Sequence, residues 1–248
     1  MMSHFWLGLL TLLTLSACVA PAPLRVLFVG NSHTYVNEVP ELVRQIGIAK
    51  GVQLEVNSVT AGGATLEDHI QSGAMRQRLE SATFSAVVLQ EQSGHQVLEL
   101  NEYEASARKL AELTRAHEAR VFIYMGWTRQ SAVEQYGYTQ QNWTDSALRV
   151  ARAIGAGVAP VGEAWLYAKR HDPALGLRLQ ESDGNHATFP GSYAAAATIF
   201  YALTGVSPLQ AALRRPSLPL LLADAANLEQ AAVNANLALE PGFRQPLK

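Results

Sequence analysis

Short continuous apolar runs, each ended by glycine or polar residues, recur along the chain and predict the strands of a buried sheet. Residues 24–29 read LRVLFV and are followed by Gly30-Asn31-Ser32, a pattern typical of a strand that is buried on both faces. Similar runs predict strands at residues 52–59, 86–89, 121–125 and 157–161. The last run contains Pro160, which suits an edge strand or the end of a strand.

Between these runs, the apolar positions recur with the period of an α-helix. The pattern predicts helices over residues 39–50, 103–117, 147–154, 191–203 and 220–235. The alternation of strands and helices favours an α/β fold, a three-layer α/β/α sandwich around a central, mostly parallel five-stranded sheet of the flavodoxin-like type. Because no internal repeat or interdomain linker interrupts the pattern, we expect residues 24–248 to form a single domain.

The N-terminal segment has a different pattern and is not expected to belong to this domain. Residues 5–17 are an uncharged, leucine-rich run that is shorter than the roughly 20 apolar residues needed to span a bilayer, and the run ends in small residues. We therefore interpret residues 1–17 as a secretory signal peptide. The alternative is a buried N-terminal helix.

A cysteine follows this segment directly, in the sequence Leu15-Ser16-Ala17-Cys18. The sequence resembles the bacterial lipobox, and the resemblance implies cleavage before Cys18 and lipidation of its thiol. Residues 18–23 would then be a lipidated tether, and the protein would be exported and held at the cell envelope, at the periplasmic face of the outer membrane. In the alternative interpretation, Cys18 stands in a buried helix by chance.

Composition and charge exclude several function classes. With 19 Lys and Arg against 21 Asp and Glu, the net charge of −2 argues against nucleic-acid binding. A single cysteine excludes a disulfide framework and any multi-cysteine metal site. Three histidines near the expected site, His33, His69 and His95, lack the spacing of metal ligands. We therefore expect no metal and no other cofactor.

Candidate chemistry lies at the ends of the predicted strands, because ligands of a parallel sheet bind beyond the carboxyl ends of its strands. The polar or glycine-rich segments are Gly30-Asn31-Ser32-His33, Gly62-Gly63, Gln90-Glu91-Gln92-Ser93 and the late Asp183-Gly184-Asn185-His186. Ser32 leaves the buried first strand toward a helix, whose N-terminal N–H groups favour negative charge. His186 stands three residues after Asp183, so the carboxylate can orient the imidazole toward a serine.

Each of these residues also has a structural alternative. Ser32 could cap the helix that follows, because serine is a favoured N-cap residue. Asp183 and His186 could belong to a surface turn, Gly62-Gly63 could be a turn only, and residues 90–93 could be a polar strand end.

As an ordered set, the four segments resemble the sequence blocks of the SGNH (GDSL) hydrolases. Phe28-Val29-Gly30-Asn31-Ser32 is similar to the Gly-Asp-Ser block, and Asp183-x-x-His186 is similar to the closing Asp-x-x-His block. Gly62 or Gly63 fits the second block. The third block departs from the family pattern, because Gln90-Glu91-Gln92-Ser93 stands where Gly-x-Asn-Asp is common. It is more similar to the Gln-Gly-Glu-Ser variant of some carbohydrate acetylesterases.

The resemblance implies a serine esterase with an α/β/α fold of the SGNH hydrolase type. Ser32 would attack an ester carbonyl, His186 would remove and return the proton, and Asp183 would hold the imidazole. The implied oxyanion hole consists of the backbone N–H groups of Ser32 and Gly62 and one side-chain amide. For that amide, Gln90 is preferred and Gln92 is the alternative.

The substrate expected from the variant third block is an O-acetylated carbohydrate. Four aromatic residues after the fourth strand could form a sugar-binding wall or pack in the core: Trp127, Tyr136, Tyr138 and Trp143. Alternatives are a lipid or thioester acyl hydrolase, and a noncatalytic envelope lipoprotein that binds a glycan. A nucleotide-binding protein has little support, because the chain lacks a glycine-rich phosphate loop. The expected partners are a small-molecule or carbohydrate ester and, through the lipid anchor only, a membrane, but no nucleic acid.

Overall fold

The computed structural model describes residues 22–212 and 220–247. The predicted signal peptide at residues 1–17, Cys18 and most of the predicted tether lie outside the described residues. Within the two described ranges, none of the helices is both long enough and apolar enough to cross a membrane.

Five strands form one central sheet. They are β1 (Leu24–Gly30), β2 (Leu54–Thr60), β3 (Ala86–Leu89), β4 (Arg120–Tyr124) and β5 (Gly157–Ala159). Their order is β2-β1-β3-β4-β5 and every neighbouring pair is parallel, which is the order of flavodoxin-like sheets. The predicted α/β fold with a five-stranded sheet is confirmed.

The helices run in chain order as α1 (Ser32–Tyr35), α2 (Val39–Lys50), α3 (Leu66–Ser72), α4 (Ala74–Ser81), α5 (His95–Leu98), α6 (Leu100–Ala116), α7 (Gln130–Tyr136), α8 (Gln140–Ile154), α9 (Val161–His171), α10 (Pro173–Gly176), α11 (Phe189–Thr204) and α12 (Leu222–Ala238). Single 3-10 turns occupy Val36–Glu38 and Pro241–Phe243. The core on one face of the sheet contains residues of α2, α9, α11 and α12, and the core on the other face contains residues of α3, α4, α6 and α8. This arrangement gives the three predicted layers.

The alternation of side chains along β1 explains why its sequence is apolar from Val26 to Val29. Val26 and Phe28 face the layer of α2 and α11, whereas Leu27 and Val29 face the layer of α3 and α6. All four side chains are fully buried. A strand between two helical layers has no polar face in its centre, and toward the carboxyl end of β1 the next hydrophilic side chains are therefore Asn31 and Ser32, beyond the strand.

Some predicted boundaries differ from those of the structure. The helix predicted at residues 39–50 coincides with α2. Helices α8 and α11 extend beyond the predicted residues 147–154 and 191–203, whereas α6 and α12 are displaced from the predicted residues 103–117 and 220–235. The fifth strand stops at Ala159 because Pro160 has no N–H to donate to a sheet, and Pro160 precedes α9. Ser32 begins the short helix α1, whereas the first helix predicted from the sequence starts at residue 39.

Candidate active site

Ser32 is held at the carboxyl end of β1 by a crowded turn. A Cβ atom on Gly30 would lie 2.5 Å from Oε1 of Gln90 and 2.6 Å from Oγ1 of Thr34, so only glycine fits there. Ser32 is the first residue of α1, and its N–H therefore has no acceptor within that helix. The turn thus presents a hydroxyl beside a backbone N–H that has no acceptor among the described residues.

Asn31 connects this turn to the loop after β2. Its Oδ1 accepts a hydrogen bond from the N–H of His33 at 3.2 Å and so caps α1. Its Nδ2 donates to the carbonyl of Ala64 at 2.9 Å. Asn31 is buried, and the loop that carries the two predicted glycines is therefore fixed against the Ser32 turn.

The three predicted catalytic residues are connected by two hydrogen bonds, although Ser32 and His186 are 154 positions apart along the chain. Ser32 Oγ is 2.9 Å from His186 Nε2, and His186 Nδ1 is 2.5 Å from Asp183 Oδ2. The hydrogen bond with His186 is the main reason why the pKa of Asp183 is lowered to about 2. Asp183 is therefore ionised at neutral pH and can stabilise a charged imidazole.

The loop that carries Asp183 and His186 is stabilised both by its own backbone and by neighbouring segments. Asp183 Oδ1 accepts hydrogen bonds from the N–H groups of Asn185 and His186, both at 2.9 Å. Gly184 has a φ of 65° and faces Gln130, where a Cβ atom would lie 2.6 Å from the Gln130 Cβ. Its carbonyl accepts a hydrogen bond from the N–H of Gln130 at 2.9 Å. Glycine at this position lets the loop close against the segment after β4.

Asn37 fixes the far end of this loop and was not predicted from the sequence. Its Nδ2 donates to the carbonyl of Ala187 at 3.2 Å and to the hydroxyl of Ser192 at 3.0 Å. Its φ is 54°, a left-handed conformation that asparagine tolerates better than most residues. An asparagine five positions after Ser32, where the chain must turn, is the sequence signal that could have identified Asn37.

The side chains converge on a cleft of about 250 Å³ at the carboxyl ends of β1, β2 and β3. It is lined by Asn31, Ser32, His33, Tyr35, Gly63, Gln92, Ser93, Asn185 and His186. Ser93 donates a hydrogen bond to Oδ1 of Asn185 at 3.0 Å, which joins the segment after β3 to the His186 loop. The cleft is small, below the roughly 300 Å³ at which small-molecule pockets usually begin.

Gln90 does not supply the amide that was expected to face this cleft. The side chain is buried, and its Oε1 accepts hydrogen bonds from the N–H of Asn31 at 2.8 Å and from the hydroxyl of Thr34 at 2.9 Å. Its Nε2 donates to the carbonyl of Glu91 at 2.5 Å. Both the oxygen and the nitrogen of the Gln90 amide are thus hydrogen-bonded inside the protein. This geometry argues against the expected preference for Gln90 over Gln92.

Gln92 lines the cleft instead. Its Oε1 accepts hydrogen bonds from the N–H groups of Gly94 at 2.6 Å and His95 at 2.9 Å. These two donors fix the orientation of the amide, because only its oxygen can accept from them. The Nε2 group of Gln92 has no acceptor among the described residues and remains available to a ligand in the cleft.

The two predicted glycines occupy a tight turn after β2. Ala64 donates from its N–H to the carbonyl of Ala61 at 3.3 Å, and Gly63 has a φ of 68°, which explains the glycine at this position. Gly63 lines the cleft, whereas Gly62 lies beside it, where a Cβ atom would be 3.4 Å from the Tyr35 hydroxyl. Gly63, and not Gly62, which was expected in the oxyanion hole, is therefore the glycine that lines the cleft.

His33, next to the serine, belongs to an aromatic stack behind the cleft. Its ring is stacked on Trp127 with centroids 4.2 Å apart, and Trp127 is stacked on Trp165 at the same distance. Burial, followed by the charge of His186, lowers the pKa of His33 to about 4. His33 is consequently neutral at physiological pH and does not compete with His186 for a proton.

The aromatic residues predicted as a possible sugar-binding wall are divided between core and surface. Trp127 and Trp143 are fully buried, which supports the packing alternative for both. Tyr138 contacts the edge of the Trp143 ring, and Tyr136 is 47% exposed. Trp127 contributes to the site through its Nε1, which donates to the carbonyl of Asn185 at 2.9 Å.

Glu91 is a buried carboxyl group directly beneath the cleft. It accepts hydrogen bonds from the N–H of Gln92 at 2.6 Å and from the N–H of Leu66 at 3.3 Å. Burial nevertheless raises the pKa of Glu91 to about 7, because these two bonds only partly replace water. The protonation of this group therefore changes close to neutral pH.

The other histidines near the site have structural contacts. His69 donates from Nε2 to the carbonyl of Gly30 at 2.8 Å, and His95 lies 4.0 Å from the carboxylate of Glu102. Within residues 22–212 and 220–247, no three His, Cys, Asp or Glu side chains come together in a way that could hold a metal ion.

Comparisons with known proteins concern the fold of the chain. No protein-family profile matches the sequence, and no curated protein does. A DUF4886 family protein from Bacteroides uniformis matches with a TM-score of 0.73 and 20% identity, over 88% of this chain and 96% of that chain. A candidate SGNH hydrolase from Slackia heliotrinireducens matches with a TM-score of 0.61 and 25% identity, over 72% of this chain and 98% of that chain.

The acetyl xylan esterase AlAXEase also matches, with a TM-score of 0.59 and 17% identity, over 72% of this chain and 99% of that chain. These neighbours are consistent with the prediction of an SGNH-type hydrolase that acts on ester bonds. The chain has the α/β fold of the SGNH hydrolases.

Proposed function

We propose that the protein is a serine esterase in which Ser32 is the nucleophile. The observation that carries this proposal is the hydrogen-bonded series from Ser32 Oγ through His186 to Asp183, with distances of 2.9 and 2.5 Å. Ser32 Oγ attacks the ester carbonyl carbon while His186 Nε2 takes its proton. His186 then gives the proton to the departing alcohol, and the acyl group stays on Ser32.

Water completes the reaction by the same route. His186 removes a proton from a water molecule, which attacks the acyl carbonyl, and Ser32 recovers its proton from His186 as the acid leaves. Asp183 favours the positively charged imidazole of both steps, because its lowered pKa keeps it ionised. The net change is one ester and one water converted to one acid and one alcohol.

Three donors are suited to the oxyanion that forms in each step. The N–H of Ser32 begins α1, the backbone of Gly63 lines the cleft, and Nε2 of Gln92 has no other acceptor among the described residues. Fixed donors of this kind stabilise developing negative charge without reorganisation. Gln92 therefore takes the role for which the sequence favoured Gln90.

The proposed substrate is the O-acetyl ester of a carbohydrate. A cleft of about 250 Å³ suits a small acyl group better than a long chain. Tyr35 lines the cleft and is 44% exposed, so it offers an aromatic surface to the alcohol part of a substrate. The similarity of fold to an acetyl xylan esterase points in the same direction.

The test compares hydrolysis of p-nitrophenyl acetate by the wild type, Ser32→Ala and a matched control, Ser81→Ala, which changes an exposed serine on α4. We expect Ser32→Ala to lose nearly all turnover and Ser81→Ala to keep it. Acetate release from acetylated xylan and pectin is measured in the same preparations. Turnover by Ser32→Ala at the wild-type rate, or labelling of another serine by a fluorophosphonate, would contradict the mechanism.

We also propose that lipid on Cys18 anchors the protein at the cell envelope. The support is the sequence Leu15-Ser16-Ala17-Cys18 after a leucine-rich run, and Val19 favours the outer membrane by the general sorting pattern of bacterial lipoproteins. In the test, cells that produce the wild type or Cys18→Ala are fractionated. The wild type is expected with the membranes and the variant in the soluble fraction, and equal membrane association of both would contradict the proposal.

A further inference from the structure

Arg129 is a half-buried cation beside Gly94, which lies in the segment that follows the cleft residues Gln92 and Ser93. It follows β4 and immediately precedes α7. Across the described parts of the chain, its guanidinium makes no hydrogen bond and no ion pair, in contrast to Arg178, which holds Asp224 with two bonds of 2.6 and 2.9 Å. Removing a guanidinium from water without a partner is unfavourable, so such a group is suited to an anionic ligand.

The neighbours of Arg129 place it beside the proposed oxyanion donor. A Cβ atom on Gly94 would lie 3.6 Å from Arg129 Nη1. The N–H of the same Gly94 is held by Oε1 of Gln92, which lines the cleft. The guanidinium is therefore adjacent to the turn that orients the Gln92 amide.

The backbone after Arg129 is fixed to the other side of the site. Gln130 donates from its N–H to the carbonyl of Gly184 at 2.9 Å, within the loop that carries His186. In addition to burial and the charge of His186, the Arg129 charge contributes to the low pKa of His33. Arg129 thus lies between the segment after β3 and the loop that carries the proposed base.

The cleft itself contains no group that neutralises this charge. None of its lining residues among the described part of the chain is acidic. Asp183 is next to it, but its two oxygens accept hydrogen bonds from His186 Nδ1 and from the N–H groups of Asn185 and His186. Arg129 itself is outside the lining of the cleft and lies beside Gly94, whose N–H is bonded to the lining residue Gln92.

We propose that Arg129 binds a carboxylate of the substrate, so that the esterase acts on O-acetylated acidic carbohydrates in which the sugar carries a uronic-type carboxylate. This inference rests on the proposed esterase function and specifies its substrate. The planar guanidinium matches a carboxylate with two parallel hydrogen bonds. Arg129 acts as a specificity-determining residue, and the ester carbonyl is placed between Ser32 and Gln92 in the cleft.

The test uses a matched pair of substrates, a methyl glycoside of O-acetylated galacturonic acid and the same compound with the carboxylate converted to its neutral amide. For each enzyme, the ratio of kcat/KM for the acid to kcat/KM for the amide is measured. The wild type is expected to prefer the acid by about tenfold or more. Arg129→Gln should bring the ratio close to one, and Arg129→Lys should retain part of the preference, since it keeps the charge without the planar fork.

Arg76→Gln is the matched control, because Arg76 is an exposed arginine on α4 without a hydrogen bond or ion pair in the described chain. It should keep the wild-type ratio. Equal hydrolysis of acid and amide by the wild type, or a preference for the acid that survives Arg129→Gln, would overturn the role of Arg129.

A second measurement distinguishes failure of the esterase mechanism from failure of carboxylate binding by Arg129. If neither substrate nor p-nitrophenyl acetate is hydrolysed, the proposed function fails, and binding of methyl galacturonoside is measured by calorimetry. Binding of the acid that is weakened in Arg129→Gln and not in Arg76→Gln would still support carboxylate recognition. Absence of such binding by the wild type would overturn it.

Discussion

The two halves of the candidate site are stabilised in different ways. The nucleophile turn, residues 30–35, is held by side chains that are distant in the sequence. Gln90 accepts hydrogen bonds from Asn31 and Thr34 across 59 and 56 positions, and the turn has no space for a side chain at position 30. In the base loop, residues 180–188, the Asp183 carboxylate is bonded by N–H groups of the same loop, and the Asp183 side chain is 48% exposed.

Because of this difference, changes in the two halves should affect the free energy of unfolding and the activity differently. A change in the nucleophile turn disturbs buried hydrogen bonds of the core and should lower the free energy of unfolding together with the activity. A change at Asp183 affects a half-exposed side chain whose hydrogen-bond donors belong to the same loop. Such a change should lower the activity and leave the global stability nearly unaltered.

The largest effect in the base loop is expected from Asp183→Asn. The variant keeps an oxygen that can accept from the backbone but loses the charge that favours the protonated His186, so kcat for p-nitrophenyl acetate should fall by roughly 10³-fold. The free energy of unfolding, measured by urea denaturation, should change by less than about 1 kcal/mol because the group is half exposed. A strong loss of stability, or an unchanged kcat, would contradict the separation of the two halves.

The two glutamines after β3 test the same separation within one segment. Gln92→Ala should lower kcat about a hundredfold with little effect on unfolding, because it removes a donor from the cleft. Gln90→Ala should lower the free energy of unfolding by about 1–3 kcal/mol, since two buried donors, the N–H of Asn31 and the hydroxyl of Thr34, lose their acceptor. The reverse pattern in paired kinetics and urea denaturation would show that Gln90, and not Gln92, faces the substrate.

Sequence patterns predicted the elements that are apolar over several residues. β1 and α2 were predicted nearly to the residue, because one is buried on both faces and the other has a regular apolar stripe. Helices α3 and α4 were missed. Each of them buries only two side chains, and α3 is started by the polar capping box of Thr65 and Asp68, which has little periodicity to detect.

The site was predicted less evenly. The order and spacing of Ser32, Asp183 and His186 indicated which side chains come together, and the structure brings them together. The choice between Gln90 and Gln92 could not be made from the sequence, because both lie beyond the end of β3 and only tertiary contacts decide which amide points inward. Arg129 was overlooked although it follows β4, where the carboxyl-end rule could have identified it.

A smaller effect is expected where the two halves are joined, at Asn37. Asn37→Gly keeps the left-handed backbone but removes the hydrogen bonds to Ala187 and Ser192, so His186 should be positioned less accurately and kcat should fall about five- to tenfold. Asn37→Ala is the comparison variant, which adds backbone strain to the same loss and should also lower the free energy of unfolding. If Asn37→Gly has the wild-type kcat, the base loop does not need this tether.

The smallest expected effect is on the pH dependence of the free energy of unfolding. The stabilising contribution of Asp183 should rise with pH, whereas that of Glu91 should fall. The pKa of Asp183 lies at about 2 in the fold against the ordinary 3.8, so its stabilising contribution is present above pH 3.8 and is lost as the pH falls through about 2. The pKa of Glu91, beneath the nucleophile turn, is raised from 4.5 to about 7, so the folded protein retains a proton that the unfolded chain releases. The contribution of Glu91 must therefore fall as the pH rises from about 4.5 to about 7.

Glu91→Gln keeps an acceptor for Gln92 and cannot ionise, so its free energy of unfolding relative to the wild type should rise across this window and stay constant above it. Urea denaturation at several pH values measures this difference, and a constant difference from pH 4.5 to 7 would mean that Glu91 is not the group that couples the nucleophile side to pH.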